Sequence, residues 1–78
     1  MAFYNVIGGN GRDGVHLLKA NNTIISDNQI EANTMHGIFA SGPCAKSVIK
    51  GNEISNNGTN SPSDNVDINA ATGVIVVP

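Results

Sequence analysis

Cysteine, basic residues and long apolar runs are all scarce in this 78-residue chain. Cys44 is the only cysteine, which excludes an internal disulfide and a cysteine-based zinc site, and we expect it to fill buried space. Four Lys and Arg residues against six Asp and Glu residues cannot neutralise a run of phosphates, so nucleic-acid binding is not expected. The longest apolar run, 74–77, is far shorter than the roughly 20 residues that span a bilayer, so no contact with a membrane is expected either.

Charged and aromatic residues are also few, at 13% and 4% of the chain, whereas Asn and Gly are abundant. This composition disfavours a coiled coil, a helical bundle and a charged disordered tail. The length corresponds to one small domain, whose core rarely supplies more than about 3–5 kcal/mol. The first five residues lack the basic and apolar regions of a signal peptide, so we expect either a cytoplasmic protein or export within a larger parent or a phage particle.

An internal repeat organises the chain. The pattern Asn-x-Ile-x-x-Asn begins at Asn5, Asn28 and Asn52, which are 23 and then 24 residues apart. Two further blocks follow in each period, and their short β-branched segments between Asn and Gly turns predict strands, with no window that predicts a helix. The second block begins at Gly14, Gly37 and, four or so residues late, Asn65, and the third block spans 23–26, 47–50 and 73–76.

A unit of three short strands cannot bury its apolar side alone. Wound into a coil and stacked about 4.8 Å from its neighbours, it buries a continuous column of Ile and Val. Alternation along the strands then predicts which side chains face inward and which face outward. Inward are Ile7, Ile30 and Ile54, then Val15, Ile38 and Val66, then Ile25, Ile49 and Ile75; outward are Val6, Gln29 and Glu53, then His16, Phe39 and Asp67.

The recurring asparagines predict structural ladders. Asn tolerates the left-handed conformation at bends, and its side-chain amide can hydrogen-bond the equivalent Asn one coil away. The two predicted ladders are Asn5, Asn28 and Asn52, and Asn10, Asn33 and Asn57.

Asn-x-Ile-x-x-Asn followed by Gly-Ile-x-x and a later apolar-Ile-x-x-Asn resembles the right-handed parallel β-helix repeat. Pectate-lyase-like and polygalacturonase-like enzymes, uronate epimerases, periplasmic carbohydrate-binding proteins and phage tailspikes share this repeat. The resemblance covers about residues 3–77 and implies an all-β, right-handed parallel β-helix of about three coils, with three short strands per coil. The expected single domain, 1–78, has coils at about 3–22, 23–46 and 47–73 and the start of a fourth at 74–78.

Neither end of this repeat shows an obvious polar cap, and the apolar last strand is an open edge. We therefore expect either a piece of a longer β-helix or a homo-oligomer. The resemblance to tailspikes implies a homotrimer and an extracellular or virion-associated location.

The outward side chains His16, Phe39 and Asp67 are the candidate binding residues. An aromatic ring flanked by polar groups on a flat β surface suits a sugar, so a polysaccharide is the expected ligand. In the alternative interpretation, Phe39 packs against a neighbouring subunit or a loop, and the polar pair is plain surface. The insertion at 58–65 is either part of a binding face or a tolerated surface bulge.

Catalytic residues are not evident, and the weak candidates are Asp13, His16 and Asp67. Glycoside hydrolysis needs two suitably separated carboxylates, and Asp13 can form a polar cluster with His16 or His36, although Asp before Gly is also an ordinary turn residue. No acid cluster suggests a metal, and no cofactor is expected. The G-x-G-x-x-G motif at 9–14 precedes an apparent strand instead of a helix, which indicates a turn and not a dinucleotide site.

Three functions remain open at this point. The first is a structural, carbohydrate-contacting β-helix segment of a phage tailspike-like or polysaccharide-binding protein. The alternative is a fragment of a β-helix polysaccharide lyase, hydrolase or uronate epimerase. The third is a purely architectural, self-assembling unit.

Overall fold

A computed structural model describes residues 2–3 and 5–77, which form a β-solenoid of about three coils. Tyr4, in the expected first coil, and Pro78, in the expected start of a fourth, lie outside the described residues. The elements in chain order are β1 (Ala2–Phe3), β2 (Val6–Gly8), β3 (Asp13–Leu18), β4 (Ile24–Ser26), β5 (Gln29–Glu31), β6 (His36–Lys50), β7 (Glu53–Ser55), α1 (Pro62–Asn65) and β8 (Val66–Val77).

The strands form two sheets in which every described pairing is parallel. One sheet has the order β2-β5-β7. The other has the order β1-β4-β6-β3, with β8 also paired to β6. The second and third sequence blocks, expected as separate short strands, are joined within β6, because pairing with β8 extends through the corner at Gly42.

The first predicted column is confirmed by the strand register. Ile7 pairs with Ile30, and Ile30 pairs with Ile54. Ile30 is fully buried, whereas its two partners are partly buried and pack against the core. Ile30 is more buried than Ile7 and Ile54 because only the middle coil has a neighbouring coil on both sides.

The second column is confirmed in the same way: Val15 pairs with Ile38, and Ile38 pairs with Val66. Ile38 is fully buried and joins Ile30 in one core cluster, so the core lies between the two sheets. Cys44 is a free, fully buried member of that cluster, as expected for a side chain that fills space.

The predicted inward position of Ile75 is wrong. Ile75 pairs with Val48 and is 55% exposed, while Val76 pairs with the buried Ile49. Two register shifts between β6 and β8, after Phe39 and after Pro43, move the third coil by one position relative to the simple alignment. A one-residue shift reverses which side chain faces inward, and a run of four apolar residues hides the shift from the sequence.

Both asparagine ladders are present. In the first, the side-chain nitrogen of Asn5 donates to Asn28 Oδ1 at 3.2 Å, and that of Asn28 donates to Asn52 Oδ1 at 3.0 Å. In the second, the side-chain nitrogen of Asn10 donates to Asn33 Oδ1 and that of Asn33 to Asn57 Oδ1, both at 2.8 Å. The backbone N–H of each donor residue also donates to the same Oδ1 atom.

The ladder asparagines from Asn10 onward do not themselves adopt the left-handed conformation, which corrects one expectation. That conformation belongs to the preceding residue. A left-handed residue reverses the chain, and the next residue can then point its amide along the stack. The residues concerned are Gly9 (φ 70°), Asp27 (φ 56°), Ala32 (φ 60°), Gly51 (φ 66°) and Asn56 (φ 55°).

The insertion in the third coil contains the short helix α1, which the sequence did not predict. Ser61 is its N-cap, with the hydroxyl oxygen accepting from Asp64 N at 3.2 Å, and Pro62 occupies the first turn. A side-chain acceptor before a proline is a common start of a helix. Four residues are too few to show the hydrophobic periodicity from which a helix is predicted. The helix packs against β6 and β8.

Stacking predicts unequal costs for two truncations on β2 and β5. Ile30→Val removes a methylene from a fully buried side chain, so it should lower the free energy of unfolding by about 1 kcal/mol. Val6→Ala alters a side chain that is 75% exposed, and it should change the free energy of unfolding by less than about 0.5 kcal/mol. Urea titration measures both, and equal costs would contradict the assigned faces.

Candidate functional site

The strand register brings five predicted side chains to one outer surface, which we call the outer stripe: Asp13, His16, His36, Phe39 and Asp67. They lie on β3, β6 and β8, one strand from each coil. The register pairs Asp13 with His36, His16 with Phe39, and Phe39 with Asp67. The predicted row of His16, Phe39 and Asp67 is therefore present as a row, and its role in binding stays a prediction.

The ring of Phe39 packs against two imidazoles. Its centroid is 5.1 Å from that of His16, in an edge-to-face arrangement with an interplanar angle of 68°. The centroids of Phe39 and His36 are 5.0 Å apart, and their rings are tilted by 35°. Such pairs add to the energy of burial, so the three rings hold one another in place.

His36 contacts a carboxylate through each of its ring nitrogens. Nδ1 lies 2.8 Å from Asp13 Oδ1, and Nε2 lies 3.5 Å from Asp67 Oδ2. A carboxylate only accepts hydrogen bonds, so the ring donates to both partners at once only when both nitrogens carry protons. The side chains of Asp13, His36 and Asp67 are 8%, 17% and 21% exposed, which makes this a partly desolvated cluster that joins three coils.

The sequence left open whether Asp13 would meet His16 or His36, and the structure places it against His36. The contact between His36 and Asp67 was missed. It joins residues 31 positions apart, whereas the repeat spacing is 23–24. The insertion raises the offset to 28 at the Phe39–Asp67 pair, and His36 lies three residues before Phe39. The late start of the block that contains Asp67, at Asn65, was the one signal in the sequence.

The outer stripe is an open surface. The described residues enclose no pocket, and among them no group of three or more His, Cys, Asp or Glu side chains is arranged to hold a metal ion. The Gly-rich segment before β3 is a turn with Gly9 at φ 70°, and a strand follows it, as expected. Over the same described part of the chain, no helix is both long enough and apolar enough to cross a membrane.

Asp64, in the insertion, lies near this stripe. The hydroxyl of Thr59 donates to Asp64 Oδ2 at 2.6 Å and the backbone N–H of Thr59 donates to it at 2.8 Å. These two hydrogen bonds hold the pKa of Asp64 below its ordinary value of 3.8. Burial opposes them, and the Ser61 hydroxyl and His36 make smaller contributions that lower the pKa.

Comparison with known protein families places the chain in one of them. The family model described as a right-handed beta helix region matches residues 2–77, almost the whole chain. No curated protein and no solved structure matches this chain.

The lowered pKa of Asp64 predicts a pH-dependent contribution to stability. Because the carboxylate is favoured in the folded state, its contribution is fully present above about pH 4 and is lost as the pH falls through the folded-state pKa. The difference in unfolding free energy between wild type and Asp64→Asn should shrink as the pH falls from 5 toward 3. Urea titration at each pH measures it, and a difference independent of pH would contradict the assignment.

Proposed function

Because this chain belongs to the right-handed beta helix family, we propose that it is a structural β-helix segment whose outer stripe contacts a polysaccharide. The observation that carries the proposal is the packing of Phe39 against two imidazoles, with Asp67 at the paired strand position in the next coil. In this proposal the segment belongs to a tailspike-like or polysaccharide-binding protein, extracellular or carried on a virion.

The chemistry of the stripe matches that of a sugar. A pyranose ring has apolar C–H faces that pack on aromatic rings, and its hydroxyls both donate and accept hydrogen bonds. Phe39 and the exposed His16 supply ring surface, and Asp67 supplies carboxylate oxygens that accept from hydroxyls. The groups recur at the spacing of stacked strands, about 4.8 Å, so they form a row along the axis of the coils.

The open shape of the stripe favours a polymer over a small molecule. Small ligands are bound in concave sites that bury most of their surface. The described part of the chain encloses no such site. A polysaccharide can instead lie along a row of side chains and make many weak contacts with several coils.

Catalysis is the second candidate, and the cluster of Asp13, His36 and Asp67 favours it. Two carboxylates on either side of an imidazole are groups that can move protons at a bound sugar. Asp13 is only 8% exposed and its Oδ1 is engaged by His36, so we favour an orienting role for Asp13 and the binding function for the stripe as a whole.

Self-association is part of the proposal. The last residues of β8, Ile75, Val76 and Val77, are 55%, 45% and 39% exposed, and this strand pairs on one side only among the described strands. An apolar open edge is stabilised by pairing with another chain or another coil. We propose a homo-oligomer, with a trimer as the leading possibility, or the remainder of a longer β-helix, as the cover for this edge.

The binding function is tested with Phe39→Ala against a panel of neutral and acidic polysaccharides, including polygalacturonate and O-antigen chains. Loss of one aromatic contact should weaken binding by roughly 3- to 10-fold. Glu53→Gln, on the outer face of β7 in the other sheet, is the matched control and should bind as wild type does. New reducing or unsaturated ends that disappear in Asp67→Asn would establish the catalytic candidate instead.

Two outcomes contradict the binding proposal. One is polysaccharide binding that is unchanged in Phe39→Ala, provided that circular dichroism shows the same fold. The other is the absence of binding by the wild type across the whole panel, which leaves the architectural role alone.

A further inference from the structure

The second asparagine ladder does not stop at the third coil. Asn57, its last repeat member, donates its backbone N–H at 3.2 Å and its side-chain nitrogen at 3.0 Å to Asn65 Oδ1. Asn33 makes the same pair of bonds to Asn57 Oδ1, at 3.2 and 2.8 Å. Asn65 Oδ1 therefore takes the place that the ladder asparagine of a fourth coil would occupy.

The chain reaches that place by folding back on itself. Repeat members of the ladder are 23 or 24 residues apart, but Asn65 is only eight residues after Asn57. Asn65 directly precedes Val66, which pairs with Ile38, and a Cβ added at Gly37 would come within 2.6 Å of the Asn65 carbonyl oxygen. A Cβ added at Gly14 would meet the Gly37 carbonyl oxygen in the same way, at 2.8 Å, so the backbone of Asn65 lies where the third coil continues the stack.

Further hydrogen bonds hold the Asn65 side chain in position. Its side-chain nitrogen donates to Asn60 Oδ1 at 3.1 Å, and the same oxygen accepts from Asn56 N at 2.7 Å. The backbone N–H of Asn65 donates to the Ser61 carbonyl at 2.9 Å. Amide groups of the insertion thus bond to one another and to the end of the ladder.

Burial distinguishes this end of the ladder from the others. Asn57 is fully buried although it belongs to the last coil. Asn52, the last-coil member of the first ladder, is only partly buried, and Asn10, at the first-coil end of the second ladder, is exposed. A terminal coil normally leaves its ladder residue open to water, so the burial of Asn57 is a consequence of the insertion.

We propose that residues 58–65 are a built-in cap, in which Asn65 imitates the ladder asparagine of a further coil and ends the Asn10–Asn33–Asn57 ladder. A terminal repeat needs such a polar cover, because otherwise its buried amide groups lack partners. With the cap in place, the amide groups of Asn57 already have their acceptor, so an asparagine from another coil cannot take that place. The open edge of β8 is a separate part of the third coil. The proposal is independent of any polysaccharide.

Amide hydrogen exchange of Asn57, followed by NMR, tests the cap. In the wild type, the backbone N–H of Asn57 should be protected about as strongly as that of Asn33. Asn65→Ala removes the acceptor and should accelerate exchange at Asn57 by about tenfold or more. Asn65→Asp keeps an acceptor oxygen and should retain most of the protection, and Asn69→Ala, an exposed asparagine on β8, should leave Asn57 as in the wild type.

Unchanged protection of Asn57 in Asn65→Ala would overturn the proposal, and so would an equal loss in Asn69→Ala. If Asn65→Ala does not fold, the wild-type measurement decides alone. Exchange at Asn57 as fast as at amides of exposed turns would then show that no cap closes the ladder.

Discussion

The structure depends on one repeated interaction, in which an asparagine side chain accepts two hydrogen bonds from the asparagine one coil away. A chain that turns a corner leaves backbone N–H groups without a strand partner, and burying them unpaired costs about 1–3 kcal/mol each. Asn28 and Asn33, both nearly fully buried, accept such bonds on Oδ1. They donate equivalent bonds to the ladder asparagine of the next coil. The left-handed residue before each one makes this geometry possible, and the bonds join residues 23 or 24 positions apart.

Everything proposed for function rests on that period. Because the coils are held in register, residues far apart in the chain become neighbours on the outer surface, and Asp13, His36 and Asp67 form one cluster across three coils. The ladder also explains why the insertion matters. The insertion lengthens the third coil, shifts β8 against β6, and supplies the oxygen that ends one ladder. The same segment places Asp64 within the electrostatic influence of His36.

Sequence reasoning recovered what repeats and missed what departs from the repeat. The column of Ile7, Ile30 and Ile54 follows from equal spacing and from the alternation of strands, and the structure has it in register. Ile75 was misplaced because four consecutive apolar residues carry no alternation, so a one-residue shift leaves no trace. The contacts made by Asn65 and Asp67 were not foreseen, since each depends on the path of an insertion that has no counterpart in the other coils.

The central claim is that equivalent residues of successive coils lie directly beside one another as parallel strands. Nuclear Overhauser contacts between backbone protons test it most directly. The account predicts contacts that link the strand around Ile30 with both Ile7 and Ile54, 23 and 24 residues away. Contacts that instead join consecutive strands such as β2 and β3 as antiparallel hairpins would contradict it.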